Sequence, residues 1–218
     1  MIRQTRRFTG LFAAVAALFG ASFAVTSTNP AAMLSSAFVP AATAETVPVT
    51  AVVAVLPSAP AIDRLGAVTP EMIDSETLWL ARCIYSETKR PEEQELVAWV
   101  IRNRVETGYR GESTYEGVVL DPYQFSAFIR GTATYARYTK LTPETENAGF
   151  QKALAIAHFV RHAPESMRPF DGETRHFYSE QSMVGGRTPA WAVGKVAVAP
   201  ARDFTLESKR FRFYTGLV

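Results

Sequence analysis

Cysteine is almost missing from this 218-residue chain: its one copy is Cys83. No intramolecular disulfide can form, so the fold must rest on a packed core and not on covalent staples. Histidine is scarce too, with three copies, His158, His162 and His176. There is no His-Glu-x-x-His pattern. His158 and His162 stand one helical turn apart, a spacing that can hold zinc, with His176 available to complete a set. The arc they occupy is polar, however, and a solvated helix face explains it without a metal. No metal and no cofactor are therefore expected. An excess of charge of one sign is also lacking, with 23 Lys and Arg against 21 Asp and Glu. Arg3, Arg6 and Arg7 belong to the first 44 residues, which hold no acid. The remainder carries 20 basic and 21 acidic residues, a formal charge of −1. Nucleic acid is thus excluded as an expected partner. No internal repeat is visible.

What is present begins with a targeting pattern. The three arginines precede an uncharged apolar run from Phe8 to Val25, and Ala42-Thr43-Ala44 offers an A-x-A cleavage site before Glu45. Residues 1–44 read as a secretory signal peptide, with an uncleaved anchor as the alternative. Thr5-Arg6-Arg7 hints at a twin-arginine signal. The expected destination is the periplasm or the exterior, in the cell envelope, with no membrane attachment once the signal is removed. Residues 45–68 form an Ala/Pro/Val-rich linker, where Pro48, Pro57 and Pro60 oppose any helix. Residues 69–218 are the working domain, long enough for a single core.

That domain is organised around Leu78-Trp79-Leu80-Ala81-Arg82-Cys83-Ile84-Tyr85-Ser86-Glu87. At about 100° per residue, Leu80, Cys83 and Ile84 form one apolar arc, and Glu87 falls in its middle. A carboxylate has no packing reason to be there. Desolvation raises a carboxyl pKa, and an acid that keeps its proton near neutrality is the usual donor for cutting a glycosidic bond. The competing reading ends the helix just before Glu87 and leaves it in solvent.

Thr69-Pro70-Glu71 reads as the start of this helix, and Pro91 stops it near residues 88–90. A second helix runs from Pro91 to about Val105, with Gly108 at its carboxyl end. Asn103 projects among the apolar residues of that helix. It either ties down a loop or lines a polar site beside Glu87. Ser113-Thr114-Tyr115-Glu116 reads as a capping box before a short helix. Asp121-Pro122-Tyr123-Gln124-Phe125-Ser126 is a turn whose mixture of flat rings and neutral polar groups suits a sugar. Thr142-Pro143-Glu144 is expected to open a helix to about Arg161, with Phe150, Ala153, Leu154, Ile156, Ala157 and Val160 inward. Beyond Gly172, residues 174–178, 193–198 and 211–214 are strand-like. The expected fold is α+β, a helix-rich domain with a small C-terminal antiparallel sheet.

Several short blocks carry a resemblance. Leu80-Ala81-Arg82-x-Ile84-Tyr85-x-Glu87, Asn103-Arg104-Val105, Gln124-Phe125-Ser126, His176-Phe177-Tyr178, Pro189-x-Trp191 and Phe213-Tyr214 occur in the order found in SleB-type cell wall hydrolases, the spore-cortex-lytic enzymes. The resemblance covers residues 77–214. It implies a fold related to lysozymes and lytic transglycosylases. It also implies cleavage of peptidoglycan glycan strands between N-acetylmuramic acid and N-acetylglucosamine, with Glu87 as the catalytic acid. A lytic route needing one acid, with 1,6-anhydro products, follows from the same source. Asn103, Gln124, Ser126, His176 and Tyr178 are the candidate substrate-binding residues, in a protein expected to act as a monomer. One departure stands out. Members usually continue with Glu-Ala-Arg-Gly-Glu, whereas this chain reads Glu87-Thr88-Lys89-Arg90-Pro91. The second glutamate has no clear counterpart unless Glu92 or Glu93 replaces it. Asp121, Asp171 and Glu173 are the other carboxylates available to a two-acid mechanism. Two further readings stand beside it: a non-catalytic peptidoglycan-binding or regulatory envelope protein, and a metal-dependent amidase using the histidines.

Overall fold

The computed structural model describes residues 65–201, 204 and 210–217. The expected signal peptide and the linker up to residue 64 lie outside the described residues.

The first long helix, α1, spans Ser75–Glu87. Its cap is Asp74, whose side chain accepts from the Thr77 amide at 2.8 Å. Thr69-Pro70-Glu71 does not open it. Those residues instead start a 3-10 turn, Pro70–Met72, and the chain passes through extended backbone at Ile73 before α1 begins. Helix α1 runs through Glu87, and Thr88 is extended, as expected of the residues leading into Pro91. Leu80, Cys83 and Ile84 are fully buried, so the inward arc is as the spacing predicts.

Helix α2 spans Pro91–Glu106 and is followed by Gly108 with φ +59°, the left-handed stop that glycine tolerates best. Helix α3 spans Tyr115–Leu120. Its start differs from the expected capping box: Thr114 is the cap, accepting from Gly117 at 3.0 Å. The Tyr115 amide donates to Glu76 of α1 at 2.6 Å, so a distant carboxylate does what Glu116 was expected to do. A short helix the sequence did not announce, α4, spans Ala133–Thr139. Helix α5 spans Ala148–His162 and starts later than Thr142-Pro143-Glu144 suggested. Residues 142–145 form a turn, with Gln151 of α5 donating to the Pro143 and Thr145 carbonyls at 2.7 and 2.9 Å. Asn147 is the true cap. The inward residues of α5, Phe150 through Val160, are buried as its periodicity predicts.

Helices α1, α2, α3 and α5 surround the core, in which Trp99, Phe150, Leu80, Ile84, Leu96, Ile101, Leu154 and Ile156 are almost wholly removed from water. Leu65 and Val68, at the end of the expected linker, pack partly buried against it. Helices α1 and α5 approach closely at Gly149, where a Cβ would lie 3.3 Å from the Tyr85 ring. The Tyr85 hydroxyl also donates to the Asn147 cap at 3.1 Å.

Strands β1, Thr174–Ser179, and β2, Phe211–Thr215, pair antiparallel, with Phe177 opposite Phe213 and His176 opposite Tyr214. The pleat sorts the side chains. Phe177, Phe211 and Phe213 turn toward the helices, while His176, Tyr178, Arg212 and Tyr214 share the opposite face. The expected third strand at 193–198 is not formed. Only Val198 bridges to Phe213, because the chain before it turns through Gly194 at φ +71°. The fold is helix-rich α+β, as the sequence predicts. No helix among the described residues is long and apolar enough to cross a membrane.

Candidate active site

Glu87 is the last residue of α1. Its side chain is half-buried and neither frayed nor free in solvent. Among the described residues it makes no ion pair and no hydrogen bond with its carboxylate. Burial pushes its pKa up to about 7, against a smaller opposing pull from the Arg104 guanidinium. The carboxyl-terminal end of a helix dipole also disfavours an anion at this position. A carboxyl at such a position keeps its proton close to neutral pH.

Arg104, on α2, is the cation that acts on this acid. It is buried, with Nε donating to the Arg175 carbonyl at 2.7 Å. Its guanidinium lies 5.3 Å from the Tyr109 ring and 5.5 Å from the Phe125 ring. Its Nη1 has no hydrogen-bond partner. Burial lowers its pKa, although Tyr109, Asp121 and Glu87 pull the other way.

The turn expected to touch a sugar lies beside Arg104. Phe125 is inserted into the core against Phe177, with ring centroids 6.4 Å apart. Its neighbours Gln124 and Ser126 are half-buried and exposed, and neither side chain hydrogen-bonds to the protein among the described residues. Tyr123 in the same turn is 88% exposed and held at φ +66°, a conformation few non-glycine residues adopt.

His176 faces the other side of Arg104. The Tyr109 hydroxyl and His176 Nε2 are 2.9 Å apart, and Nδ1 is buried without a partner. Burial, with Arg104 and Arg175 nearby, lowers its pKa to about 4, so the ring is neutral at physiological pH. From His176 an aromatic ledge continues outward. The Trp191 ring is 5.5 Å from His176, 5.8 Å from Tyr178 and 5.3 Å from Tyr214. Tyr178 and Tyr214 stack at 6.0 Å.

Arg104 thus acts on Glu87 and lies against Phe125 of the turn and against Tyr109, which bonds His176; Trp191 joins His176 to Tyr178. Asn103 is placed differently. It is fully buried, its amide donates to the Asp171 and Thr174 carbonyls at 2.9 Å each, and its oxygen accepts from Arg168. Of its two sequence readings, the loop tie is the one its bonds describe. Arg104 and Tyr109 were not singled out from the sequence. Arg104 is the middle residue of Asn103-Arg104-Val105, and an arginine on a helix reads as solvated until its burial is seen.

The other candidate carboxylates have partners. Glu93 is wholly buried, bound by Thr88 Oγ1 at 2.5 Å and Arg210 Nε at 2.7 Å. Asp121 pairs with Arg110 at 2.6 Å, and Glu173 pairs with Arg175 at 2.9 Å. Asp171 accepts from the Glu173 amide and from Thr215. His158 and His162 stack with centroids 4.4 Å apart on the outer side of α5, and no group of three potential ligands capable of holding a metal occurs among the described residues.

A sequence model of the Cell Wall Hydrolase family matches residues 89–201, just over half of the chain. The match begins two residues after Glu87, so the opening block ending in Glu87 stands outside it. No curated protein and no solved structure matches the chain. With Gln124–Ser126, His176–Tyr178 and Trp191 all inside the matched span, the chain belongs to the cell wall hydrolase family.

Proposed function

We propose that the protein cleaves peptidoglycan glycan strands by the lytic route, with Glu87 as its one acid. The observation that carries this reading is the state of Glu87: a carboxyl without a hydrogen bond or ion pair among the described residues, held near pKa 7 by burial, in reach of solvent. It has a proton to give at neutral pH and no partner to release first.

In the proposed sequence, the neutral Glu87 protonates the oxygen bridging N-acetylmuramic acid to N-acetylglucosamine. The bond from that oxygen to the muramic anomeric carbon breaks, and positive character develops on the ring. The muramic 6-hydroxyl then bonds to the anomeric carbon and yields its proton to the ionised Glu87. A 1,6-anhydro sugar results, the acid is restored, and no water is consumed. Arg104 supports the interval in which Glu87 is charged, since its cation favours the carboxylate without sharing a proton with it.

Glu87 alone among the candidate carboxylates combines a raised pKa with no partner among the described residues, which favours one acid over two. A retaining hydrolase needs a second carboxylate about 5 Å from the first, and an inverting one needs it somewhat farther away. Asp121, Asp171 and Glu173 all have cationic or hydrogen-bonding partners. Gln124 and Ser126, without side-chain partners among the described residues, are assigned to orienting the sugar. His176 and Tyr178 belong to the ledge on which the strand lies, and Asn103 is assigned to holding the loop before β1.

The test is a digest of purified peptidoglycan by the wild-type protein and by Glu87→Gln, analysed by mass spectrometry. Anhydro-ended muropeptides from the wild type alone support the proposal. Reducing ends would overturn the lytic route, and an active E87Q enzyme would remove Glu87 from the chemistry. Retention on the wall without products from either protein would favour a binding role.

A further inference from the structure

The outer face of the sheet continues past the aromatic ledge into a cleft of about 390 Å³. Tyr178 and Tyr214 belong to both ledge and cleft, so the two are one surface. The remaining walls differ from those of a neutral sugar site. Arg212 and Glu180, an ion pair at 2.7 Å, line the cleft. Lys195 lines it too, exposed, and its ammonium has no partner among the described residues. Ala192, Val193 and Ala197 supply small apolar ground in the same cleft. Desolvation and the Tyr178 hydrogen bond raise the Tyr214 hydroxyl to about pKa 12, so it remains a donor.

We propose that this cleft binds the acidic substituent of the muramic acid unit, with Lys195 receiving its carboxylate. The inference rests on peptidoglycan being the substrate. N-acetylglucosamine is uncharged and gives a free lysine nothing to hold. The muramic unit carries its charge on the side chain, either as the carboxylates of an attached peptide or as the bare lactyl acid. The shared chemistry is a carboxylate displaced from the sugar ring. Small apolar residues beside an unpaired cation suit a short peptide of small amino acids. The Arg212–Glu180 pair offers both signs to a ligand bearing an amine and several acids.

This cleft would set which strands are held well, independently of the chemistry at Glu87. Binding is therefore measured with the E87Q protein, in which turnover is not required, by calorimetry. Three probes separate the sources: a disaccharide carrying its peptide, the same disaccharide with a bare lactyl acid, and the disaccharide with that acid converted to an amide. The expected result is tighter binding of an acid-bearing probe than of the amide by about three- to tenfold, the range for one exposed charge-assisted contact. Lys195→Glu abolishes that preference, and added salt weakens it. Preference for the peptide probe assigns the cleft to the peptide, preference for the bare acid assigns it to the lactyl group, and equal preference for both acids means that Lys195 takes either carboxylate. Equal affinity for all three probes, or a preference that survives Lys195→Glu, overturns the proposal. Loss of glycan cleavage by wild type with this preference intact would overturn the lytic reading alone.

Discussion

Glu87, the last residue of α1, and Arg104 of α2 interact as a carboxyl and a cation without a hydrogen bond between them. Burial disfavours the charge on each, and each favours the charge on the other. The net result on the acid is a pKa near 7, because desolvation outweighs the attraction. A hydrogen-bonded pair would have fixed the carboxylate in its ionised form.

The first prediction concerns pH and rate. The protonated form of Glu87 is the donor, so kcat/KM falls about tenfold per unit as pH rises beyond about 7. A rate that climbs steadily from pH 6 to 9 would contradict the assignment.

The same shift has a consequence for stability. An unfolded glutamate has its ordinary pKa of 4.5, and the folded one titrates near 7. Between those values the native state binds the extra proton, so stability decreases as pH rises through that window. The loss is complete above about 7 and absent below about 4.5. Glu87→Gln removes the titration. The variant is expected to melt near wild type at pH 4.5 and above it at pH 8, by no more than about 3 kcal/mol. Thermal melts at the two pH values decide it.

Arg104 is tested through the position of that alkaline limb. Arg104→Met removes the cation that favours ionised Glu87, and the limb moves to higher pH by about one unit. Arg104→Lys restores part of the shift, since charge and not the guanidinium fork governs it. Loss of the bond to the Arg175 carbonyl lowers stability in both variants, so the pH profile is the readout that a structural role alone would not move.

Helix periodicity made most of this visible in the sequence. The arc of Leu80, Cys83, Ile84 and Glu87 follows from spacing alone, and so does the inward face of α5. Helix starts were less legible, because a cap is decided by which donor finds which acceptor. Thr142-Pro143-Glu144 has helix-start residues, yet Gln151 reaches back to bond the turn they form. The run at 193–198 has strand composition, but the turn at Gly194 leaves only Val198 to reach the open edge of β2. In the site, an acid on an apolar arc is conspicuous, whereas a buried arginine between two rings is not. Its meaning depends on Tyr109 and Phe125, which arrive from elsewhere in the chain.

Glu93 illustrates a buried acid with a different purpose. It joins Thr88, directly after Glu87, to Arg210 at the entry to β2. Glu93→Ala removes the buried partner of Arg210, which is itself partly exposed and keeps Gln181 and Thr88, and is expected to cost about 1 to 3 kcal/mol. Denaturant unfolding measures the loss. If Glu93 replaced the missing second glutamate, E93A would instead remain stable and lose turnover.

Trp191 separates binding from chemistry. It is 40% exposed, so its truncation costs the core little, yet it touches His176, Tyr178 and Tyr214. An exposed indole held among three rings is a platform for the flat face of a sugar, and aromatic contacts of this kind contribute on the order of 1 kcal/mol. Trp191→Ala is expected to raise KM for glycan strands about three- to tenfold while leaving kcat within about twofold, with Trp191→Phe in between. Glu87 and Arg104 are untouched by the change, so the pH profile should keep its limb near 7. A fall in kcat at constant KM would place Trp191 in the chemistry and move the ledge from strand binding to catalysis.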